Sequence, residues 1–224
     1  MRVPGHVEIE INAGEVTLHG DLELSPSRLG IVVFAHGTGS SRFSPRNRLV
    51  AEALRARGLS TLLTDLLTDA EEDVDVATAH LRFDIPLLAE RVVAAVDWTA
   101  SEPHTTGSPI GLFGASTGAA AALVAAARRT DAVGAVVSRG GRPDLVQDLA
   151  DVRAPTLLIV GGEDHQVLKL NRSAAASLRA EVRLAVIPGA THLFEEPGAL
   201  DEVARLAGDW FVQHLSGVGP TLQG

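Results

Sequence analysis

The chain has 224 residues, of which 46% are hydrophobic and 21% are charged, and this ordinary globular composition excludes disorder as a global description. Lys and Arg number 19 against 28 Asp and Glu, for a formal net charge of −9; an acidic chain repels phosphate backbones, so nucleic acid is not an expected partner. Cysteine is absent, which excludes disulfides, thiol nucleophiles and cysteine-ligated metal centres.

The apolar runs of the chain are short. The N-terminal residues contain no apolar segment typical of a signal peptide, and no apolar run reaches the roughly 18 residues of a membrane span. With the lack of cysteine, this predicts a cytoplasmic protein that does not enter the membrane. No linker divides residues 1–224, so we expect one domain, with a frayed Gly- and Pro-containing tail at residues 216–224.

The elements of the chain divide into an opening hairpin and a longer alternating region. Residues 6–24 alternate between apolar and polar side chains on either side of a turn at Asn12–Gly14, which predicts an antiparallel hairpin with one wet face. From Gly30 onward, continuous apolar runs alternate with segments of helical spacing, a pattern typical of a parallel sheet with helices on both faces. The predicted strands are 31–35, 59–65, 108–115, 132–138, 155–161 and 182–187, and the predicted helices are 45–57, 84–100, 116–129, 167–178 and 197–215.

One segment carries a run of negative charge. Residues 69–75 read DAEEDVD, and we predict a solvated loop or irregular segment there. The sequence leaves open whether the surrounding residues 66–82 move as a lid over a ligand site.

The motif that carries chemistry is Gly114-Ala115-Ser116-Thr117-Gly118, a G-x-S-x-G pattern between an apolar strand and an Ala-rich helix. Such a turn presents the serine hydroxyl at the carboxyl end of the sheet and at a helix N-terminus. This context predicts that Ser116 is a nucleophile. The alternative is a Gly-rich helix start in which Ser116 is an ordinary N-cap.

A serine hydroxyl needs a base to remove its proton, and with this motif an acid and then a histidine follow in the chain. Both follow later strands: GGEDHQV contains Asp164, and GATHLF contains His192. We predict His192 as general base and then acid, and Asp164 as the residue that orients it. Glu163 is the alternative acid, whereas His165 follows the wrong strand for a base.

These motifs, FAHGTGSS, GLFGASTG, GGEDHQV and GATHLFEEPG, resemble those of the α/β-hydrolase fold and, within it, the dienelactone-hydrolase-like group. The resemblance runs from about residue 30 to residue 215 and implies a mostly parallel sheet. It favours Asp164 over Glu163 through the spacing to Val167. Members of the group typically carry a Cys nucleophile; Ser116 resembles general esterase usage instead. Because few residues separate Ser138 from Pro155, we expect no large cap over the site.

Two backbone N–H groups are predicted to bind the oxyanion that forms during acyl transfer. The first belongs to Thr117, the residue after the nucleophile. The second belongs to the loop after the strand FAHG, and the resemblance implies Thr38 within it.

Three arginines lie in loops at the predicted carboxyl edge of the sheet. Arg42, Arg46 and Arg139 carry the charge that recognises a substrate carboxylate or phosphate, and Arg42 and Arg139 are the predicted substrate-binding residues. The alternative is that these arginines form salt bridges with the many acidic residues of the chain.

The sequence thus predicts a serine hydrolase that cleaves a small carboxylic ester, or a lactone or thioester, through an acyl-enzyme. An acyltransferase that uses the same three residues and a non-catalytic binding module are the alternatives. The mechanism needs no cofactor. No pair of histidines has the spacing of a zinc motif, so we predict no metal. The expected partner is a small ester-type molecule, and the oligomeric state is not predicted.

Overall fold

The structure, a computed structural model, describes residues 5–216. It contains an eight-stranded sheet flanked by six α-helices. The strands are β1 His6–Ala13, β2 Val16–Glu23, β3 Ile31–Ala35, β4 Ser60–Thr64, β5 Ile110–Ala115, β6 Val133–Arg139, β7 Thr156–Gly161 and β8 Val182–Ile187. The helices are α1 Pro45–Ala56, α2 Asp69–Thr78, α3 Ile85–Ser101, α4 Thr117–Arg128, α5 His165–Ser177 and α6 Ala199–Leu215.

The predicted N-terminal hairpin is present. Strands β1 and β2 pair in antiparallel register, with Ala13 opposite Val16 across the turn, and Gly14 in that turn has a φ of +74°, which glycine adopts without steric cost. Strand β2 also pairs antiparallel with β4, where Leu22 lies opposite Leu62. The hairpin therefore extends one edge of the main sheet.

The remaining pairs in the sheet are parallel, in the order β1-β2-β4-β3-β5-β6-β7-β8. Strand β3 lies between β4 and β5, so the strand order reverses direction at this point. Ligands of open parallel sheets bind at such a reversal, beyond the carboxyl ends of the strands. The loops that follow β3, β5, β6, β7 and β8 all start at this edge.

Two hydrophobic cores lie on opposite faces of the sheet. One contains side chains of α3 and α4 and the inner face of the hairpin, and the other contains side chains of α1 and α6. Close packing explains one glycine of β5: a Cβ at Gly111 would lie 2.6 Å from the Phe211 ring. The mostly parallel α/β architecture predicted from the alternating pattern is therefore confirmed.

Three features refine the expectations. The acidic segment is not an irregular loop, because α2 begins at Asp69 and continues to Thr78. The connection between β6 and β7 contains only two short 3₁₀ turns, at Pro143–Leu145 and Leu149–Asp151, so no large cap is present. The predicted frayed tail, apart from Ser216, lies outside the described residues.

Among the described helices, none is long and apolar enough to cross a bilayer.

Candidate active site

Ser116 occupies a sharp turn between β5 and α4. Its backbone has a φ of 52° and a ψ of −119°, and its side chain does not cap α4. The N–H of Ser116 donates to the Arg139 carbonyl on the neighbouring strand at 3.1 Å. The hydroxyl is therefore not used as a helix cap, and the conformation matches the strained turn that the G-x-S-x-G pattern predicts.

The two glycines of the motif make room for this turn. A Cβ at Gly118 would lie 2.2 Å from the His36 carbonyl oxygen, and a Cβ at Gly114 would lie 2.4 Å from the Ala119 Cα. Both obstacles are backbone atoms that cannot rotate away. The motif is thus explained by contacts between helix α4, its own strand and the end of β3.

His192 and Asp164 are brought together by two loops that touch. The His192 Nδ1 lies 2.6 Å from the Asp164 Oδ2, and the Asp164 side chain is 14% exposed. The two loops meet at Gly161, where a Cβ would lie 2.3 Å from the Ala190 carbonyl oxygen. The N–H of Glu163 also donates to that carbonyl at 3.0 Å. These backbone contacts fix the spacing of the pair.

The residues beside Asp164 point elsewhere. The Glu163 carboxylate lies 3.9 Å from the His165 ring, and both side chains are exposed. Of the two candidate acids, Asp164 is the one that contacts His192.

Ser116 and His192 both lie against the end of β6. Ser116 contacts Arg139 through its main chain, and a Cβ at Gly140 would lie 3.4 Å from the His192 Cε1 and Nδ1. Among the described residues no hydrogen bond joins the Ser116 hydroxyl to the imidazole. Such bonds are often long in ligand-free enzymes and tighten when substrate binds.

The loop after β3 lies against the Ser116 turn. A Cβ at Gly37 would lie 3.1 Å from the Ser116 Cβ, and the hydroxyls of Thr38 and Thr117 lie 3.0 Å apart. Thr117 is the first residue of α4, so its N–H has no acceptor within the helix. The two predicted oxyanion residues are therefore neighbours on either side of the nucleophile turn.

The buried His36 ring links the loop after β3 to the loop after β4. Its Nε2 accepts the Leu66 N–H at 3.0 Å, and its Nδ1 lies 3.1 Å from the Gly37 carbonyl, so the ring is neutral with its proton on Nδ1. Burial lowers the pKa of His36 below the usual value, although the Gly37 carbonyl and Asp65 oppose this. The ring holds the loop after β3 against the end of β4.

A second contact beside this loop was not predicted from the sequence. Asp75 on α2 is 1% exposed, and Arg82 donates to it from its main-chain N–H at 3.0 Å as well as from its guanidinium. Burial opposes ionisation of Asp75, but the hydrogen bonds from Arg82 lower its pKa. Both residues line a small cleft with Thr38 and Thr117. The sequence contained a signal for the helix that carries Asp75, since Thr68 and Glu71 form the T-x-x-E capping box that starts α2.

Two of the three arginines in the edge loops, Arg42 and Arg46, have acidic partners. Arg42 donates to Asp65 from its main chain at 2.8 Å and from its guanidinium, and its Nε lies 3.6 Å from Asp21. Arg46 contacts Glu195 at 3.3 Å. For Arg42 the structure favours the salt-bridge alternative over the predicted substrate contact, because two carboxylates already neutralise its charge.

One cluster in the described part of the chain has the composition of a metal site. It consists of His6, Glu8 and Asp21 on the hairpin. Asp21 already accepts the Arg48 guanidinium at 2.9 Å. Its carboxylate is therefore used by an ion pair, and the cluster gives no reason to assign a metal.

Sequence comparisons identify relatives of the chain. The family model described as "Dienelactone hydrolase family" matches residues 21–214. Two curated relatives, from two strains of Mycobacterium tuberculosis, are 56% identical over 215 residues, which is 96% of this chain and 48% of each relative. Each is named "Putative phosphoribosyl transferase". The chain thus spans about half the length of the curated relatives that it matches.

Solved structures share the fold. A dienelactone hydrolase from Anabaena variabilis is 56% identical, with a TM-score of 0.92 over 93% of this chain and 97% of that one. Est1E from Butyrivibrio proteoclasticus is 16% identical, with a TM-score of 0.76 over 93% of this chain and 99% of that one. The second likeness concerns the fold alone.

Proposed function

Since the chain belongs to the dienelactone hydrolase family, we propose that it is a serine hydrolase that cleaves small carboxylic esters through an acyl-enzyme. The observation that carries this proposal is the His192 Nδ1–Asp164 Oδ2 contact of 2.6 Å beside a serine held at a φ of 52°. A half-buried carboxylate behind a histidine and a strained serine at a helix start are the parts of a nucleophilic relay.

The proposed reaction has two halves. Ser116 Oγ attacks the acyl carbonyl while His192 Nε2 takes its proton, and Asp164 keeps the other ring proton on Nδ1. The tetrahedral intermediate collapses, the C–O bond to the alcohol breaks, and His192 gives its proton to the leaving alcohol. Water then attacks the acyl-enzyme with His192 as base, which releases the acid and restores Ser116.

The negative oxygen of each intermediate is stabilised in this proposal by the N–H groups of Thr38 and Thr117. Their hydroxyls lie 3.0 Å apart, so each side chain fixes the other and the two backbone donors keep their spacing. Preorganised donors stabilise the transition state because they do not need to reorient during the reaction. Lactones and thioesters pass through the same intermediate and are further substrates in this proposal.

The curated relatives suggest a second activity for a longer protein. They carry a phosphoribosyl transferase name, but this chain matches only 48% of each of them. The matched part contains the dienelactone hydrolase region at residues 21–214. We therefore assign the hydrolase chemistry to this chain, and a phosphoribosyl transferase assay of the chain serves as the test of the second activity.

The first prediction tests the nucleophile. Ser116→Ala is expected to abolish labelling by a fluorophosphonate and to lower kcat/KM for p-nitrophenyl acetate by roughly 10³-fold or more, because the residual rate comes from binding and the oxyanion donors alone. Ser177→Ala, on the exposed surface of α5, is the matched control and retains both signals.

Three results would separate the alternatives. Persistent labelling of Ser116→Ala would contradict the assignment of the nucleophile. A wild-type chain that neither reacts with the label nor turns over ester would indicate a binding module. Ester products that form in added alcohol faster than acid would indicate an acyltransferase.

A further inference from the structure

One short segment touches both the nucleophile turn and the histidine. It consists of residues 139–142, which follow the end of β6, and is called the 139–142 segment below. The Arg139 carbonyl accepts the Ser116 N–H at 3.1 Å. Gly140 lies against the His192 ring, since a Cβ there would lie 3.4 Å from the ring Cε1 and Nδ1. The position of this segment therefore influences how the serine and the imidazole are spaced.

Main-chain contacts hold the 139–142 segment on two sides. The Gly140 N–H donates to the Ile159 carbonyl on β7 at 2.8 Å, and the Arg142 N–H donates to the Ser116 carbonyl at 3.3 Å. Gly141 packs so closely against β6 that a Cβ there would lie 2.0 Å from the Ser138 Oγ. The segment is thus wedged between the start of α4 and the neighbouring strand.

A buried side chain holds the segment on its third side. Asn171 on α5 is 0% exposed, and its Nδ2 donates to the Gly141 carbonyl at 3.0 Å and to the Val167 carbonyl at 2.9 Å. Both neighbours are carbonyls, which only accept hydrogen bonds, so the two N–H groups of the amide face them. The amide therefore joins the 139–142 segment to helix α5.

Burial alone does not account for an asparagine at this position. The Asn171 Oδ1 is buried and has no hydrogen-bond partner in residues 5–216. An unpaired buried acceptor destabilises a fold, and a leucine of similar size would avoid that cost. What the asparagine supplies instead is the pair of donors, one of which reaches the Gly141 carbonyl.

The helix that carries Asn171 also carries the acid of the proposed relay. Asp164 is the N-cap of α5, and its side chain accepts the Val167 N–H at 3.4 Å. The Asn171 amide bonds the carbonyl of that same Val167. One turn of helix thus connects the carboxylate behind His192 to the segment in front of it.

We propose that Asn171 is a positioning residue for the proposed hydrolysis. Through the Gly141 carbonyl it holds the 139–142 segment between Ser116 and His192, and through α5 it keeps that segment in register with Asp164. This inference rests on the proposed function. Asn171 contacts neither the substrate nor the reacting atoms in this proposal, so its removal changes the rate of attack and not the binding of the ester.

The kinetic test separates the rate of attack from binding. Stopped-flow measurement of the first turnover on p-nitrophenyl acetate gives the rate constant of acylation and the Kd of the ester. In Asn171→Leu the rate constant is expected to fall about tenfold or more, because small misplacements of reacting groups cost large factors in rate. The Kd is expected to change by less than about twofold.

The matched control removes another buried hydrogen bond away from the 139–142 segment. Thr99 on α3 is 0% exposed and donates from Oγ1 to the Ala95 carbonyl at 2.7 Å, and Thr99→Val is expected to retain the wild-type rate constant. An unchanged rate constant in Asn171→Leu, equal losses in the two variants, or a loss confined to Kd overturns the proposal. Asn171→Ala removes the same donors and keeps a good helix former, and it replaces Asn171→Leu if that variant does not fold by circular dichroism.

A spectroscopic test separates this inference from the proposed function. The ¹⁵N chemical shifts of the two His192 ring nitrogens, assigned with His192→Gln and recorded at about pH 8, where an ordinary imidazole is neutral, report which nitrogen carries the proton. The Asp164 contact at 2.6 Å favours the proton on Nδ1. We expect a larger share of the other tautomer in Asn171→Leu, since the ring loses the wall that keeps it against the carboxylate.

This measurement needs no turnover. A changed tautomer ratio in Asn171→Leu but not in Thr99→Val supports the positioning role even if no ester is hydrolysed. A ratio equal to that of the wild type overturns the role, whether or not Ser116 proves to be the nucleophile.

Discussion

Ser116 has a backbone conformation that serine seldom adopts, with a φ of 52° and a ψ of −119°. A residue held in such a region costs of order 1–3 kcal/mol. Its neighbours impose it: the Ser116 N–H is tied to β6 at 3.1 Å, and Gly118 allows α4 to approach the end of β3. The side chain is therefore held away from its own helix, where it is available to an incoming carbonyl.

The candidate residues could be predicted from the sequence because each one directly follows an apolar strand, which is a local pattern. Ser116 follows an apolar strand directly, and Asp164 and His192 each follow a later one. The partners of the arginines could not be predicted in this way. Arg42 pairs with Asp21 in β2 and with Asp65 just after β4, whereas Arg139 is buried without a carboxylate partner among residues 5–216. Both facts depend on tertiary packing.

At this scale, the carboxylate behind His192 is expected to be essential. Asp164→Asn is predicted to lower kcat of the proposed hydrolysis by roughly 10²–10⁴-fold, because an amide stabilises neither the correct ring tautomer nor the imidazolium. Glu163→Gln is the matched control, since this exposed neighbour contacts His165 instead. Steady-state kinetics on p-nitrophenyl acetate measure both variants, and similar losses in the two would contradict the role of Asp164.

Helix α2 shows how an acidic run folds when its ends are capped. The segment has few apolar residues, so periodicity did not predict a helix. In the structure Thr68 and Glu71 close a capping box, acidic side chains occupy the first turn, where they suit the helix dipole, and Asp75 turns inward to Arg82. Local capping and one buried ion pair thus replace the missing hydrophobic face.

The ion pair between α2 and the following 3₁₀ turn is expected to hold this element in place. Asp75→Asn weakens two hydrogen bonds from Arg82 and leaves its guanidinium without a charge partner, which is predicted to cost on the order of 1–3 kcal/mol. Asp73→Asn, an exposed position on the same helix, is the control. Amide hydrogen exchange across residues 69–83 is the measurement, and equal protection in both variants would refute the role of the pair.

Across the whole molecule, the site is assembled where the two halves of the sheet meet. The loop after β3 supplies His36, whose ring accepts the Leu66 N–H just after β4. The loops after β5, β7 and β8 supply Ser116, Asp164 and His192. The mostly parallel sheet was predicted from the alternating pattern of the sequence, whereas the order of its strands was not. The direction of the His36 ring was not predicted either, because it depends on the loops after two different strands.

The buried neutral His36 predicts a pH dependence of global stability. Its pKa in the folded chain lies below 6.5, the value expected once the chain unfolds. As pH falls below about 6.5, the unfolded state takes up a proton that the folded state excludes, so the free energy of unfolding decreases until the lowered pKa is reached. His36→Gln is expected to be less stable at neutral pH but to lose this component of the slope.

Urea unfolding between pH 5 and pH 8 measures this effect. The control is His104→Gln, at an exposed turn position, which retains the wild-type slope. A slope unchanged in His36→Gln would show that other groups cause the acid sensitivity.

The short connection between β6 and β7, with its two 3₁₀ turns, has a kinetic consequence for the proposed acyl-enzyme. His192 is 39% exposed, so bulk solvent reaches the base directly and the second half-reaction has its nucleophile at full concentration. The β6–β7 connection supplies no large cap that would retain a competing alcohol or amine. We therefore expect water to deacylate the proposed acyl-enzyme unless an acceptor brings its own binding affinity.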